Sequence, residues 1–244
     1  MLRSDCLVAE GRSSRCQRVA GSFLTFAVAM TLFSGRGALA DSGAAPQIER
    51  QTRSYSISID GTRRGSSKAE FRSGNGIVWI QSESEIRINY LVYRYNYTSS
   101  GTEIWKDGRV SAFENTADYN GTLYTVKGTS TPRGLQITTN GATSLVSPEV
   151  WDTSYLLLPD RLARNEPATV VLLDSDKGRL MSGKIQFVGE ETLTVAEGQK
   201  PCTHYRIGGD VQVDVWFDAS RRMVRQESHE RGHKVRFELL SVAE

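Results

Sequence analysis

From Tyr55 onward the chain alternates. Tyr55, Ile57 and Ile59 are separated by serines, and Val211, Val213, Val215 and Phe217 alternate with Gln212, Asp214, Trp216 and Asp218. Ile185 and Phe187, Leu193 and Val195, and Val235, Phe237 and Leu239 repeat the pattern. A period of two marks strands with one face buried and the other in water. Asp60-Gly61, Asp107-Gly108, Asn120-Gly121 and Asn140-Gly141 supply the left-handed pairs that tight hairpins need. Lys177-Gly178, Glu197-Gly198 and Gly208-Gly209 are weaker versions of the same signal. The pattern predicts roughly ten or eleven antiparallel strands in one meandering sheet that curls. One stretch departs from it. Ser147 to Asn165 offers Ser147 as a helix N-cap with Pro148 at the first helical position, and Pro159 and Asp160 start a second piece. The expected fold is mainly β: a curved antiparallel meander, or open half-barrel, with one short helical insert as plug or lid. It is expected as a single domain over residues 55–242, after a flexible segment over residues 41–54.

The first forty residues read as a signal peptide. Arg3, Arg12, Arg15 and Arg18 precede an apolar run from Val19 to Phe33, and Ala38-Leu39-Ala40 forms an A-x-A cleavage signal before Asp41. The run is too short for a stable membrane span, no arginine pair precedes it, and the residue directly after Ala40 is Asp41 and not a cysteine. The expectation is an exported protein, without a transmembrane or lipid anchor after cleavage, in a bacterial periplasm. Beyond Ala40 the chain holds 25 Lys and Arg against 26 Asp and Glu, a net charge of −1. That balance offers nucleic acid no concentrated basic footprint. Cys202 is the one cysteine left, so no internal disulfide supports this part of the chain.

The segment His229-Glu230-Arg231-Gly232-His233 spells H-E-x-x-H, the signature of many zinc hydrolases. That chemistry needs both histidines on one helical face. Here Arg225 to Lys234 has no apolar residue, and Gly232 disfavours a helix by about 1 kcal/mol. A hairpin about Arg231-Gly232 fits better. It sets Glu230 opposite His233, Glu227 opposite Arg236, Arg225 opposite Glu238 and Val224 opposite Leu239, while His229 opposes Lys234. The histidines then lie on opposite faces. Only a register slipped by one residue would pair His229 with His233 and permit a surface metal site. Cys202 and His204 share a strand face, which leaves a Cys/His pair to weigh against two ordinary sheet residues.

The stretch Asn89 to Trp105 predicts another hairpin, with Ser99-Ser100 in its loop. That register puts Arg94, Asn96, Glu103 and Trp105 on one face and Tyr93, Tyr95, Tyr97 and Ile104 on the other. Arg94 would stack on Trp105 within reach of Glu103 and could recognise an anionic head group, or form only a structural ion pair. Asp174-Ser175-Asp176-Lys177-Gly178 looks like part of a calcium loop but lacks the distal glutamate, and a turn is the simpler reading. No G-x-S-x-G, phosphate loop or C-x-x-C occurs, and no cofactor is implied.

Four stretches carry a family resemblance. They are YSISIDGTRRGSSKAEFR, YRYNYTSSGTEIWKDGRVSAFENTADYNG, LLDSDKGRLMSGKIQFVGEETLTV and HYRIGGDVQVDVWFDASRRMVRQESHERGHKVRFEL. Together they resemble the secreted bacterial family labelled domain of unknown function 6134, from about Tyr55 to Leu240. The family pattern of Ser-Tyr followed by Trp-Asn is not met at Ser154-Tyr155, which Leu156-Leu157 follow. The closing strand pair is similar to that of the domain of unknown function 3108 and of periplasmic lipoprotein carriers of the LolA/LolB type. This resemblance implies a half-barrel with a short lid and leaves activity open.

Three functional classes follow. The first is a non-enzymatic binder of a lipid-like or amphiphilic ligand in the curved sheet, with Arg94, Glu103, Trp105 and Tyr155 as candidate binding residues. The second is an envelope module that docks a protein partner through a sheet edge. The third is an enzyme, as a metal hydrolase at His229 and His233 or an acyl transferase at Cys202 and His204.

Overall fold

The computed structural model describes residues 48–90, 93–230 and 232–244. The signal peptide expected over residues 1–40 lies outside them. Among the described residues fifteen strands form one sheet. The first eight are β1 (Glu49–Ile59), β2 (Thr62–Gly74), β3 (Ile77–Tyr90), β4 (Tyr93–Lys106), β5 (Arg109–Tyr119), β6 (Thr122–Thr131), β7 (Gly134–Thr139) and β8 (Ala142–Val146). The rest are β9 (Trp151–Asp152), β10 (Ala168–Leu173), β11 (Leu180–Val195), β12 (Gly198–Gly209), β13 (Val213–Phe217), β14 (Met223–Glu230) and β15 (His233–Ala243). Part of the segment expected to be flexible, residues 49–54, is therefore strand.

Each strand pairs with its sequence neighbours, with one decisive exception. β1 pairs with both β2 and β15, so the first and last strands meet in the middle of the sheet. The two edges are then β8 and β9, which are consecutive in the chain and joined only by residues 147–150. A flat sheet of this many strands would be roughly 65–70 Å wide. Four linking residues reach about 18 Å at most. The sheet must curl until its edges approach, and it does so without a ladder between β8 and β9. Bulges beside Tyr55, Ser58, Trp105, Gly189 and Phe217 break the register and sharpen the bend. The ladders are antiparallel except between β9 and β10. At the turns, Asp60-Gly61, Asp107-Gly108, Asn120-Gly121 and Asn140-Gly141 all take positive φ, as the dipeptides foretold.

The insert is not the expected helix. Among the described residues its helical content is one 3₁₀ turn, Asp160–Leu162. Side chains outcompete the helix for the backbone: Asp152 Oδ1 accepts Ser154 N–H at 2.9 Å, and Ser154 Oγ accepts Leu156 N–H at 3.4 Å. Pro159 also disfavours helical geometry at Leu158. The segment instead turns at Thr153 and Ser154 and then bridges to residues 221–223. Leu158 N–H donates to Arg221 O at 2.9 Å and Met223 N–H to Leu156 O at 3.1 Å. Trp151, Tyr155, Leu156, Leu158 and Leu162 are buried and join the main core with Phe71, Trp105, Leu172 and Phe217. They plug one end of the curled sheet. A small second cluster of Ile57, Ile86 and Val235 lies apart from that core.

Side chains bind the two halves of the curl together where the backbone does not. The β10–β11 turn, the stretch with the calcium-like look, is a self-capped turn in which Asp174 Oδ1 accepts the N–H groups of Asp176 and Lys177. It presents Asp176 to the other half. Asp176 accepts hydrogen bonds from Tyr97 at 2.9 Å, Tyr119 at 2.5 Å and Asn115 Nδ2 at 2.8 Å. Gly178 (φ +69°) lies so close to β7 that an added Cβ would meet Thr139 Oγ1 at 2.0 Å. Asp176→Ala should strand three donors and lower unfolding free energy by about 2–4 kcal/mol. Urea unfolding followed by tryptophan fluorescence reads this directly, and a loss within experimental error would refute the latch.

Candidate functional site

The unplugged end of the curl holds a half-open cavity of about 1180 Å³. Its walls follow from the period of two. Along β4 the inward positions run Tyr95, Tyr97, Ser99, Gly101 and Glu103, and along β3 they run Ile88, Ile86, Ser84 and Ser82. On these two strands aromatic and branched side chains stand at the outer part, small polar ones at the waist and an acid at the floor, while Asp60, Arg64, Glu230 and His233 from other elements also border the cavity. The distance from Tyr95 to Glu103 is about 26 Å along the strand. β14 and β15 complete the wall with Gln226, Ser228, Val235 and Phe237.

The floor combines three groups that burial makes unusual. Glu103 is 8 % exposed and Asp152 2 %. Burial, and then the charge of Asp152, push the Glu103 carboxyl up to about 8, although its Oε2 accepts the indole N–H of Trp105 at 2.8 Å. Burial also raises Asp152. Its Oδ1 is held by Ser154 N–H, but its Oδ2 is buried with no hydrogen-bond partner. Beside them Tyr155 has φ +51°, a conformation rarely tolerated by a bulky side chain. Packing holds it there, with its ring edge-on to Trp151 at 5.0 Å. Strain of this kind persists where the surroundings over-determine the backbone.

The structure divides the predicted binding residues. Glu103 and Tyr155 line the cavity. Trp105 lies in the core beyond Glu103 and reaches it through the indole N–H. Arg94 does not join them. The expected hairpin at Ser99-Ser100 is absent, because β4 runs unbroken from Tyr93 to Lys106 and turns at Asp107-Gly108. On one continuous strand Arg94 falls on the face opposite Glu103 and Trp105, where it is exposed. The expected stack of Arg94 on Trp105 is thereby overturned. Asp152, Ser154 and the Asp176 cluster were not anticipated. Their only sequence signal is that acids and serines stand where an inward position should be apolar.

The HERGH segment is the predicted hairpin. Glu230 pairs with His233, His229 with Lys234, Glu227 with Arg236 and Arg225 with Glu238. The expected charge pairs form, with Arg236 Nε at 2.7 Å from Glu227 and Arg225 in contact with Glu238. His233 Nδ1 instead lies 2.7 Å from Asp60 Oδ2, and that hydrogen bond helps hold the Asp60 carboxyl below its ordinary range. The described residues contain no group of three or more His, Cys, Asp or Glu side chains that could hold a metal ion. Cys202 and His204 do share a strand face but serve different neighbours. The thiol donates to Lys200 O at 3.4 Å, and burial pushes it up to about 11. His204 stacks on Trp216 at 4.2 Å between Glu191 at 3.1 Å and Asp214 at 2.6 Å.

Residues 55–240 match the model of a protein family described as domain of unknown function DUF6134. The chain belongs to that family. The DUF6134 fold is similar to the crystal structure of a beta-barrel-like protein of domain of unknown function DUF1849 from Brucella abortus. The TM-score is 0.61 at 8 % identity over 79 % of this chain and 96 % of that one. A DUF1089 family protein from Pseudomonas aeruginosa gives a TM-score of 0.42 at 11 % identity, over 65 % and 87 % of the two chains. No curated protein matches the chain. The first likeness supports a barrel-like fold for DUF6134 and carries no activity. No helix among the described residues is long and apolar enough to cross a membrane.

Glu103 makes stability depend on pH. Its folded value, about 8, stands above the ordinary carboxyl value of 4.5. Between the two the folded chain keeps a proton that the unfolded chain releases, so stability falls as pH rises through this window and levels off above it. Glu103→Gln removes that share of the fall. Its melting temperature should exceed that of the wild type by roughly 3–6 °C near pH 8, with a smaller gap near pH 5. Parallel melting curves at both pH values would refute the buried ionisation.

Proposed function

We propose that this DUF6134 protein is an exported, non-enzymatic binding protein that carries an amphiphilic ligand in the cavity of its curled sheet. The observation behind this reading is the graded lining: Tyr95, Ile88 and Ile86 toward the opening, serines at the waist, and Glu103 and Asp152 at the floor. A volume of about 1180 Å³ slightly exceeds the roughly 300–1,000 Å³ typical of small-molecule sites. A lining with separated apolar and polar zones suits a molecule built the same way. The insert fills one end and the smaller cluster of Ile57, Ile86 and Val235 lines the other, so a chain-like ligand would lie along that cluster beside the main core. The basic start, apolar run and A-x-A signal of residues 1–40 support a periplasmic address.

A second reading follows from β8. It is an edge strand of five residues, four of them exposed, with Leu145 49 % exposed. An edge like this could take an added strand from an envelope partner. Its shortness leaves the cavity as the better-supported site.

Native mass spectrometry of the chain purified from the periplasm should show an added mass in the lipid or fatty-acid range. Ser82 points into the cavity from β3, so Ser82→Phe should fill it. That variant should lose the added mass and bind a fluorescent alkyl probe at least tenfold more weakly, a cost of about 1.4 kcal/mol. Unchanged binding in Ser82→Phe would remove the cavity as the ligand site. Loss of a partner from pull-downs on deleting the β8 side chains, with cavity binding intact, would favour the second reading.

A further inference from the structure

The floor of the cavity holds one acceptor oxygen without a donor. Asp152 Oδ2 is buried, borders the cavity and has no hydrogen-bond partner, while the other oxygen is already fixed by Ser154 N–H. Leaving a carboxylate oxygen unpaired in such a place is costly, and natural proteins rarely do so without a use for it. Glu103 faces the same space, oriented by the indole of Trp105. Eight acidic side chains border the cavity against three Lys or Arg. Of those cations, Lys177 lies 4.5 Å from the centroid of the Tyr119 ring and Arg179 hydrogen-bonds the sulfur of Met181, both partners being lining residues themselves. The field at the floor therefore attracts positive charge and opposes anions.

We propose that Asp152 and Glu103 form a head-group subsite that holds the ammonium of an amine-headed amphiphile, whose chain extends past Ser84 and Tyr97 toward Ile86, Ile88 and Tyr95. This rests on the ligand-binding reading above and specifies the head group and the direction of entry. An ammonium brings three donors and no acceptor, which matches a floor of carboxylate oxygens. Its charge also favours the ionised form of the Glu103 carboxyl, which keeps its proton near neutral pH in the empty cavity, and the hydrogen bonds it then makes are of the stronger, charge-assisted kind. A carboxylate head would meet like charge there, and a hydroxyl head would bring one donor without charge.

The test compares dodecylamine, dodecanol and dodecanoate by isothermal titration calorimetry at roughly pH 9, above the value of Glu103 and below that of a primary amine, and below their aggregation thresholds. The wild type, Asp152→Asn and Glu103→Gln are each titrated. Both substitutions keep the shape of the side chain and the acceptor oxygen used by Ser154 or Trp105, and thermal melts confirm that each variant is folded. The expected result is that the wild type binds dodecylamine at least tenfold tighter than dodecanoate. Asp152→Asn should remove most of that preference and leave dodecanol unchanged, with Glu103→Gln acting in the same direction. If dodecylamine and dodecanol bind alike, or the amine is indifferent to both substitutions, the head-group subsite is overturned while the carrier reading stands. If none of the three ligands binds the wild type, the carrier reading falls and the subsite falls with it.

Discussion

Four residues join the two edges of a fifteen-stranded sheet, and the rest of the architecture depends on that tether. A meander started at its centre, with β1 against β15, grows outward in both directions and ends on two edges that the chain forces together. Twist alone would give an open, coiled sheet. The tether converts it into a curl with an inside. Closure is then completed by side chains, at Asp176 and its three donors, where a barrel would use a ladder. This arrangement leaves two edges, but β9 is buried and β8 is short.

An inside this wide needs contents. The insert supplies them at one end only, with Trp151, Tyr155 and the leucines that follow. The same residues that fill this end form the floor of the open one. Asp152 and Tyr155 belong at once to the plug and to the cavity, which is why a strained backbone and an unpaired carboxylate oxygen fall within a few residues of each other. Packing on one side fixes the geometry of the polar groups on the other.

Much of the fold was legible in the sequence. Alternation gave the strands, and Asp-Gly and Asn-Gly gave the turns, because a pair of left-handed residues leaves few other choices. The β14–β15 register was readable for a stronger reason: Arg225 with Glu238 and Glu227 with Arg236 come into line together in one register and not in the next. The site was harder. Ser99-Ser100-Gly101 reads as a loop by composition, yet those residues sit inside β4, where Gly101 admits Asn115 so closely that a Cβ would meet its Oδ1 at 2.6 Å. That one misplaced turn reversed the face assigned to Arg94 relative to Glu103. Ser147-Pro148 carries a helix-start signal, but Asp152 and Ser154 divert the backbone into local side-chain turns. Local propensity lost to tertiary demand in both places. Asp152 was invisible for another reason: a pattern that seeks apolar residues inside cannot find a buried acid.

The pairing of β1 with β15 also bears on when the molecule becomes itself. The two arms, β2 to β8 and β9 to β14, are built largely from neighbouring hairpins and can form as they are made. Their union cannot. Ser56 meets Glu238 across 182 residues of chain, and β15, which provides this contact, follows every other described strand. Contacts so distant in the chain are slow to form, since the entropy of closing the loop precedes any gain. A chain threading through a narrow passage would emerge with both arms sketched and the seam between them open. The cavity would acquire its back wall only when β15 cleared the exit.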